Sequence, residues 1–156
     1  VMAEGNSRTL DVDVVEQSGL IAAGYSDGTV KLMLAKGKKG DTRTFKAANT
    51  GVEQVKLSED SKMLSITSEW GMKIRLFTLN HLDEDPVIFN GSYGSVQDIH
   101  LRDRKIYALY NDNKLRFWPL DAEGYLKEIE KHKERSLTRA EWKKHVSNSI
   151  PYPRVQ

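Results

Sequence analysis

Two short stretches of the chain combine residue types that bind phosphate or metal ions in other proteins. Gly37-Lys-Lys-Gly-Asp-Thr42 has glycine and lysine, but it lacks the four-residue gap and the Gly-Lys-Ser/Thr ending of a phosphate-binding loop. His81, Asp83 and Asp85 alternate in a second stretch and carry donor atoms that suit a divalent cation. We interpret the first stretch as a solvated basic turn and the second as a solvated acidic loop before Pro86. The sequence therefore predicts no metal site and no nucleotide hydrolysis.

Other signatures of catalysis are missing from the sequence as well. The 156 residues include no cysteine, which excludes a thiol nucleophile, disulfides and thiolate zinc sites. Gly24-Tyr-Ser-Asp-Gly28 has the Gly-x-Ser-x-Gly spacing of hydrolases, but Ser26 falls in a turn between two predicted strands and not between a strand and a helix. His100 falls within a predicted strand, where packing or hydrogen bonding is its expected role. We predict a protein that is not an enzyme and that carries no cofactor.

A repeat of about 41–44 residues organises most of the chain. Its clearest series reads apolar, basic, apolar, bulky: Val30-Lys-Leu-Met33, Ile74-Arg-Leu-Phe77 and Leu115-Arg-Phe-Trp118. A second series precedes it: Ile21-Ala-Ala-Gly24, Leu64-Ser-Ile-Thr67 and Ile106-Tyr-Ala-Leu109. A third lies further upstream: Val12-Asp-Val14, Val55-Lys-Leu57 and Ile99-His-Leu101. The alternation within these segments predicts half-buried strands, and turn residues separate the second series from the first.

This pattern resembles the WD repeat. Ser26-Asp-Gly-Thr-Val-Lys-Leu32 is similar to the turn and third strand of that family, and Trp118 stands where the family has its tryptophan. The resemblance implies an all-β fold, a partial β-propeller of about three four-stranded blades with a short C-terminal helical tail. It also implies that Asp27, Asp112 and Trp118 are structural anchors of the blades.

The repeats place the blades at about residues 9–50, 51–94 and 95–120, and the last blade lacks its outer strand. Three blades are fewer than the four to eight of a closed propeller, so two sheet faces stay uncovered. The chain begins with Val1 rather than methionine. We expect either that upstream sequence of a longer protein supplies the missing blades and strand, or that copies of the chain associate.

Residues 121–156 do not continue the repeat. Leu126 and Ile129 among charged residues predict a short helix, and the segment ends in an extended proline-rich stretch. Thr138 and Glu141 have the spacing of a capping box that starts a second helix, which Trp142 would anchor to its neighbour.

The same tail resembles the end of large bacterial WD-repeat proteins. The matching residues are Ser136-Leu-Thr138, Glu141-Trp142 and Pro151-Tyr152, in that order. Proteins with this ending are often STAND-type signalling or defence NTPases with a C-terminal propeller sensor. The resemblance implies that this chain is the end of such a propeller, and that it lies outside the nucleotide-hydrolysing part.

The turns between second and third strands share one rim of a propeller with the loops that link blades. The segments concerned are residues 26–28, 49–51, 69–71, 90–95 and 111–113. Trp70 and Tyr93 are the aromatic residues among them, and aromatic residues dominate binding hot spots. We therefore take Trp70 and Tyr93, with Asp27 and Asn111, as candidate contacts for a partner.

Charge separates the remaining partner classes. The formal net charge is only +2, and the tail carries that excess with acidic residues interleaved, so nucleic acid is an unlikely ligand. No apolar run is long enough to span a membrane, and we expect a cytoplasmic protein.

Two hypotheses follow from the sequence. The first is a non-catalytic interaction or sensor module that ends the propeller of a larger bacterial signalling or defence protein. It would bind a protein partner or the upstream part of the same polypeptide. The second is a stand-alone half-propeller that self-assembles and binds nucleic acid through its basic tail.

Overall fold

The structure is a computed structural model that describes residues 7–37, 41–90 and 94–121. These residues form eleven β-strands and no helix. The strands are β1 Thr9–Val15, β2 Leu20–Tyr25, β3 Thr29–Leu34, β4 Arg43–Lys46, β5 Val52–Leu57, β6 Met63–Ser68, β7 Lys73–Thr78, β8 Val87–Asn90, β9 Val96–Arg102, β10 Lys105–Tyr110 and β11 Leu115–Pro119. No helix in the described part of the chain could cross a membrane. The all-β class predicted from the repeats is confirmed.

The strands are arranged in three antiparallel sheets, each in chain order. We call these sheets blade 1 (β1–β4), blade 2 (β5–β8) and blade 3 (β9–β11). Each segment of the three repeat series lies in the expected strand, and β4 and β8 are the predicted fourth strands. The described part of blade 3 has three strands. All eleven strands belong to the first of two units into which the chain divides, Val1–Leu120 and Asp121–Gln156. The predicted helical tail, with Thr138, Glu141 and Trp142, lies outside the described residues.

Residues opposite one another on neighbouring strands share a face of the sheet, so the register divides each blade into two faces. We call the face that bears Asp11 and its equivalents the front face. Its rows are Asp11–Gly24–Val30 and Asp13–Ala22–Leu32 in blade 1, Gln54–Thr67–Ile74 and Lys56–Ser65–Leu76 in blade 2, and Asp98–Leu109–Leu115 and His100–Tyr107–Phe117 in blade 3.

The opposite side of each blade is its back face. Its rows are Val12–Ala23–Lys31 and Val14–Ile21–Met33 in blade 1, Val55–Ile66–Arg75 and Leu57–Leu64–Phe77 in blade 2, and Ile99–Ala108–Arg116 and Leu101–Ile106–Trp118 in blade 3. The back faces are more apolar on the first and second strands than the front faces.

Two apolar clusters form where the front face of one blade meets the back face of the next. The first joins Ala22, Val30 and Leu32 of blade 1 to the buried back face of blade 2. The second joins Ile74 of blade 2 to the back face of blade 3, where Ile99 and Ile106 are fully buried. Burial of these aliphatic side chains is the main force that holds the blades together.

Small residues on the second strand let neighbouring blades approach closely. A methyl group at Gly24 would lie 2.6 Å from Cγ1 of Val52 and 3.0 Å from Cγ1 of Val55. The other small residues on the front face of a second strand are also fully buried: Ala22 in blade 1, and Ser65 and Thr67 in blade 2. The first strand of each following blade therefore packs against the first and second strands of the blade before it.

Close approach also allows hydrogen bonds between the first strands. The Asp11 carboxylate accepts a hydrogen bond from the backbone N–H of Val55 (2.9 Å), and Asp13 accepts one from that of Leu57 (2.7 Å). These donors lie on the edge of β5 that faces away from β6, where no strand pairs with them. The side chain of Gln54 donates to the carbonyl oxygen of Gln97 in the next blade (2.5 Å). Side chains of one blade thus form hydrogen bonds with backbone N–H and carbonyl groups of the next blade's first strand.

The packing at Gly24 gives a prediction for stability. We expect Gly24→Ala to lower the free energy of unfolding by about 1–3 kcal/mol, because the added methyl group overlaps Val52. Val52→Ala removes the overlapped atoms, so the double variant should be more stable than the sum of the two single effects predicts. Chemical denaturation of the four proteins measures this coupling. Strict additivity would contradict the close blade contact.

Candidate functional site

Hydrogen bonds join the turns between second and third strands to the segments that link one blade to the next. Backbone N–H groups of Ala47 and Ala48 donate to the carbonyl oxygen of Gly28 (2.9 and 3.1 Å). The Val96 N–H donates to the carbonyl oxygen of Gly71 (2.8 Å). We call the described turns 26–28, 69–72 and 111–114, with the connections 47–51 and 94–95, the upper rim. The described part of each connection between blades is thus hydrogen-bonded to a turn of the upper rim.

Asp27 and Asp112 have equivalent positions in the upper rim. Oδ1 of Asp27 accepts a hydrogen bond from the Thr29 N–H (2.9 Å), and Oδ1 of Asp112 accepts one from the Lys114 N–H (3.0 Å). Such bonds to the backbone two residues ahead stabilise tight turns. The bond to the Thr29 N–H lowers the pKa of Asp27. Both carboxylates are used within their own turns, which favours a structural role over a contact with a partner.

Asp112 has a second partner in Arg116. Two guanidinium nitrogens of Arg116 donate to the two carboxylate oxygens of Asp112 at 3.1 and 2.7 Å. The same guanidinium lies over the ring of Tyr110, 4.5 Å from its centroid. The hydrogen bonds from Arg116 lower the pKa of Asp112 to about 2. This bidentate pair ties the last turn to β11.

The turn that carries Trp70 differs from the other two. Six residues separate the paired residues Thr67 and Ile74, whereas five separate Gly24 from Val30 and Leu109 from Leu115. Glu69, Trp70 and Gly71 have φ angles of 53°, 61° and 73° in succession. A run of left-handed residues is unfavourable for non-glycine side chains, and such strain persists only where the surroundings hold it.

Three side-chain contacts hold the backbone of this turn in place. The Glu53 carboxylate accepts hydrogen bonds from the N–H groups of Trp70 (3.0 Å) and Gly71 (3.3 Å). The hydroxyl of Thr50 accepts one from the N–H of Glu69 (2.8 Å). Glu53 and Thr50 both come from the start of blade 2, at and just before β5. Side chains of the same blade therefore hold the turn in place. They accept hydrogen bonds from backbone N–H groups that would otherwise need water as their acceptor.

A buried arginine also stabilises the turn through the side chain of Glu69. Arg75 is 8% exposed, and its guanidinium donates to the Glu69 carboxylate at 2.7 and 3.2 Å and to the hydroxyl of Ser68. The Lys73 ammonium lies 3.6 Å from the same carboxylate. The hydrogen bond from Arg75 lowers the pKa of Glu69. Arg75 and Lys73, both on β7, thus compensate the charge of Glu69.

The backbone of this turn is therefore held by hydrogen bonds, while two of its apolar side chains are exposed. Trp70 is 77% exposed and Met72 is 48% exposed, although both lie within this hydrogen-bonded turn. An exposed tryptophan on a preorganised backbone loses little conformational entropy when it is buried against a partner. Among the four candidate contacts, Trp70 is the described residue whose geometry best fits binding.

The other predicted site residues have varied environments. Asn111 is exposed on the upper rim, and its N–H donates to the carbonyl oxygen of Ser95 (3.0 Å). Trp118 packs against Phe89 of blade 2, with ring centroids 5.4 Å apart, which suits a structural anchor. Tyr93 lies outside the described residues. Glu53 and Arg75 were not singled out in the sequence, and the only signal for Arg75 was the basic position that recurs in each third strand.

Metal ligands do not converge in the described residues. No group of three or more histidine, aspartate, glutamate or cysteine side chains in that part of the chain could hold a metal ion. His81 instead lies 3.4 Å from the Glu84 carboxylate, and both are exposed.

Comparisons with known proteins identify the fold. No family model matches the chain, and no curated protein matches it either. Among solved structures, the WD40 repeats of RRP9 superpose with a TM-score of 0.65 at 15% sequence identity, covering 80% of this chain and 38% of that one. A structure of U3-55K gives the same TM-score, identity and coverage of this chain, with 39% of its own length covered. The chain thus spans less than half the length of these neighbours.

The Trp70 turn gives a prediction about its support. We expect Glu53→Ala to destabilise the protein by about 1–2 kcal/mol, because two backbone N–H groups lose their acceptor. Glu53→Gln keeps one carbonyl acceptor and should cost about half as much. Chemical denaturation measures the stability, and NMR hydrogen exchange at Trp70 and Gly71 reports the local opening. Glu59→Ala, which removes an exposed ion pair with Arg102, is the control and should cost less than about 0.5 kcal/mol.

The Asp112–Arg116 pair gives a prediction about pH. The folded-state pKa of Asp112, about 2, lies below its ordinary value of 3.8, so the pair stabilises the fold above pH 4. That contribution is lost as the pH falls from about 4 to about 2. In Arg116→Gln, NMR titration should show the pKa of Asp112 rising toward its ordinary value. An unchanged pKa in this variant would exclude Arg116 as the cause.

The three described blades, their first-to-second-strand packing and the solved neighbours agree on the architecture, and the chain has the fold of WD-repeat β-propeller blades.

Proposed function

We propose that this chain is a non-catalytic protein-interaction module that binds a protein partner through the upper rim, with Trp70 as the central contact. The observation that carries the proposal is an exposed tryptophan on a strained turn that is held by Glu53, Thr50 and Arg75. Strain that is maintained by dedicated contacts is typical of functional sites. The WD40 neighbours support a role in protein interaction in general.

The wider context is part of the same proposal. The leucine–threonine, glutamate–tryptophan and proline–tyrosine pairs of the tail, at residues 136–152, support a place at the end of a larger bacterial signalling or defence protein in the cytoplasm. In that setting the propeller would act as a sensor, and the upstream part of the polypeptide would carry the effector. Asn111, which is exposed on the upper rim, would add a polar contact, and Tyr93 remains a candidate contact from the sequence alone.

Recognition at this rim would be apolar at its centre and polar around it. Trp70 and Met72 supply the exposed apolar area, while the nearest carboxylates already have partners: Glu69 with Arg75, and Glu53 with backbone N–H groups. A partner that buries the indole therefore leaves no uncompensated carboxylate behind. Such a surface suits an apolar or aromatic side chain of a partner protein better than it suits a polyanion.

The test compares Trp70→Ala with Val87→Ala in the intact protein. Both residues are exposed, at 77% and 56%, so neither change should alter the stability by more than about 0.5 kcal/mol. For a partner identified by cross-linking, we expect Trp70→Ala to weaken binding about 30-fold, which corresponds to about 2 kcal/mol. Calorimetry of the purified partner with each variant measures the loss. Equal affinities for wild type and Trp70→Ala would remove Trp70 from the proposal.

A further inference from the structure

The outer strands of blade 1 and blade 2 differ in how well their open edges are protected. β4 and β8 each end their sheet, so each has one neighbouring strand. Alternate backbone N–H and C=O groups of such a strand point away from the sheet and can pair with a further strand. Proteins commonly block these edges with charged side chains. The residues of β4 and β8 therefore indicate whether each edge can accept a partner.

The outer strand of blade 1 is blocked. Arg43 and Lys46, at its two ends, are charged and exposed. The Arg43 guanidinium donates a hydrogen bond to the carbonyl oxygen of Leu79 (3.1 Å), and the ring of Phe45 packs against that of Phe77, with centroids 5.3 Å apart. β4, which is described in full, exposes no large apolar side chain. A strand that docked on this edge would have to remove water from two cations.

The outer strand of blade 2 lacks this protection. β8 contains no charged residue. Val87 is 56% exposed on the front face, and Ile88 is 47% exposed on the back face. Among the described residues, the backbone groups of Val87, Ile88 and Phe89 pair only with β7. The edge of β8 is therefore open both at its backbone and at its apolar side chains.

Pro86 limits how far a further strand can pair with this edge. It immediately precedes β8, lacks an N–H donor and favours an extended backbone at the residue before it. Proline is tolerated at the first residue of a strand and at edges for the same reason. Pairing is thus confined to Val87–Asn90, and so short a ladder gives little specificity by itself. Contacts beyond Pro86 would then determine which partner binds.

The segment just before Pro86 is acidic, and its charge is only partly compensated. The Glu84 N–H donates to the carbonyl oxygen of His81 (3.1 Å), and the His81 ring lies 3.4 Å from the Glu84 carboxylate. Asp83 and Asp85 are exposed, and no described residue forms an ion pair or hydrogen bond with their carboxylates. Two uncompensated negative charges beside the edge favour a partner that brings cations to this place.

From these observations we propose that β8 binds an extended segment of a partner protein, which pairs antiparallel with Val87–Asn90 as a fifth strand of blade 2. An antiparallel strand ends where β8 begins, so lysine or arginine residues that follow its paired, apolar part reach Asp83 and Asp85. A second copy of β8 does not meet this requirement, because residues 91–95, which follow it, include no basic residue. The proposal goes beyond rim binding and does not depend on Trp70.

A synthetic peptide tests the strand pairing. The probe is acetylated threonine–valine–threonine–valine–threonine–lysine–lysine amide, titrated into the intact chain and followed by NMR. We expect the amide signals of Val87–Asn90 to shift and those of Arg43–Lys46 to stay unchanged. Two further peptides carry N-methyl groups on one or the other set of alternate residues. The set that donates to β8 should lose about tenfold or more in affinity when methylated, and the other set should not.

Variants of the acidic segment test the charge requirement. We expect Asp83→Asn/Asp85→Asn to weaken peptide binding about fivefold, because two exposed ion pairs are lost. The same variant should also bind with a smaller dependence on ionic strength. Glu16→Gln/Asp103→Asn removes two exposed carboxylates from other turns, and as the matched control it should bind like the wild type.

Several results would overturn the proposal. Equal affinities of the two methylated peptides, or shifts that do not include β8, would exclude strand pairing at this edge. Unchanged affinity in Asp83→Asn/Asp85→Asn, or equal binding of a peptide with glutamates in place of its lysines, would exclude a basic partner. Trp70→Ala should bind this peptide like the wild type, so failure here and failure of the rim proposal are separate results.

Discussion

The organisation of this protein depends on how closely adjacent blades approach at the second strand. Gly24 leaves no room for a methyl group beside Val52 and Val55, and the equivalent position in blade 2 holds the buried Thr67. This spacing brings the first strands near enough for aspartate side chains of one blade to bind backbone N–H groups of the next. Apolar burial supplies the stabilising free energy, and the small side chains determine where that burial takes place.

The geometry of the upper rim depends on this packing between blades. Because blade 2 is held between its neighbours, the segment around Thr50 and Glu53 has a defined position relative to the Trp70 turn. The Glu53 carboxylate can then accept hydrogen bonds from the N–H groups of Trp70 and Gly71. These bonds stabilise positive φ angles that are unfavourable for the non-glycine residues of the turn. Functional residues are often carried by loops on a rigid scaffold. Here two residues at the start of blade 2, Thr50 and Glu53, hold the loop by hydrogen bonds from its backbone to their side chains. The indole of Trp70 is 77% exposed, so most of its surface is available to a partner.

The sequence predicted the regular parts of the structure well and its special contacts poorly. Period-2 alternation and turn residues located the strands, since each depends on short stretches of chain. Asp27 and Asp112 were singled out through the resemblance to the WD repeat, and in the structure each accepts a hydrogen bond from the backbone N–H two residues ahead. Glu53 was missed because its acceptors bind donors 17 and 18 residues away, and no local pattern records that contact. Arg75 was noted only as the basic position of an alternating strand, and its burial depends on the Glu69 carboxylate in the preceding turn.

The nearest-neighbour character of the blade contacts has a consequence for how the unit unfolds. Contacts between blades run from β1 and β2 to β5, and from β5 and β6 to β9, so blade 2 takes part in both interfaces. In chains of this type, cooperativity is transmitted from one repeat to the next as in a one-dimensional lattice. Within the described residues, blades 1 and 3 each share one interface with another blade, whereas blade 2 shares two. The residues that support Trp70 lie in blade 2, so the Trp70 turn is expected to persist when blade 1 or blade 3 opens, although the rim turns of the opened blade are lost.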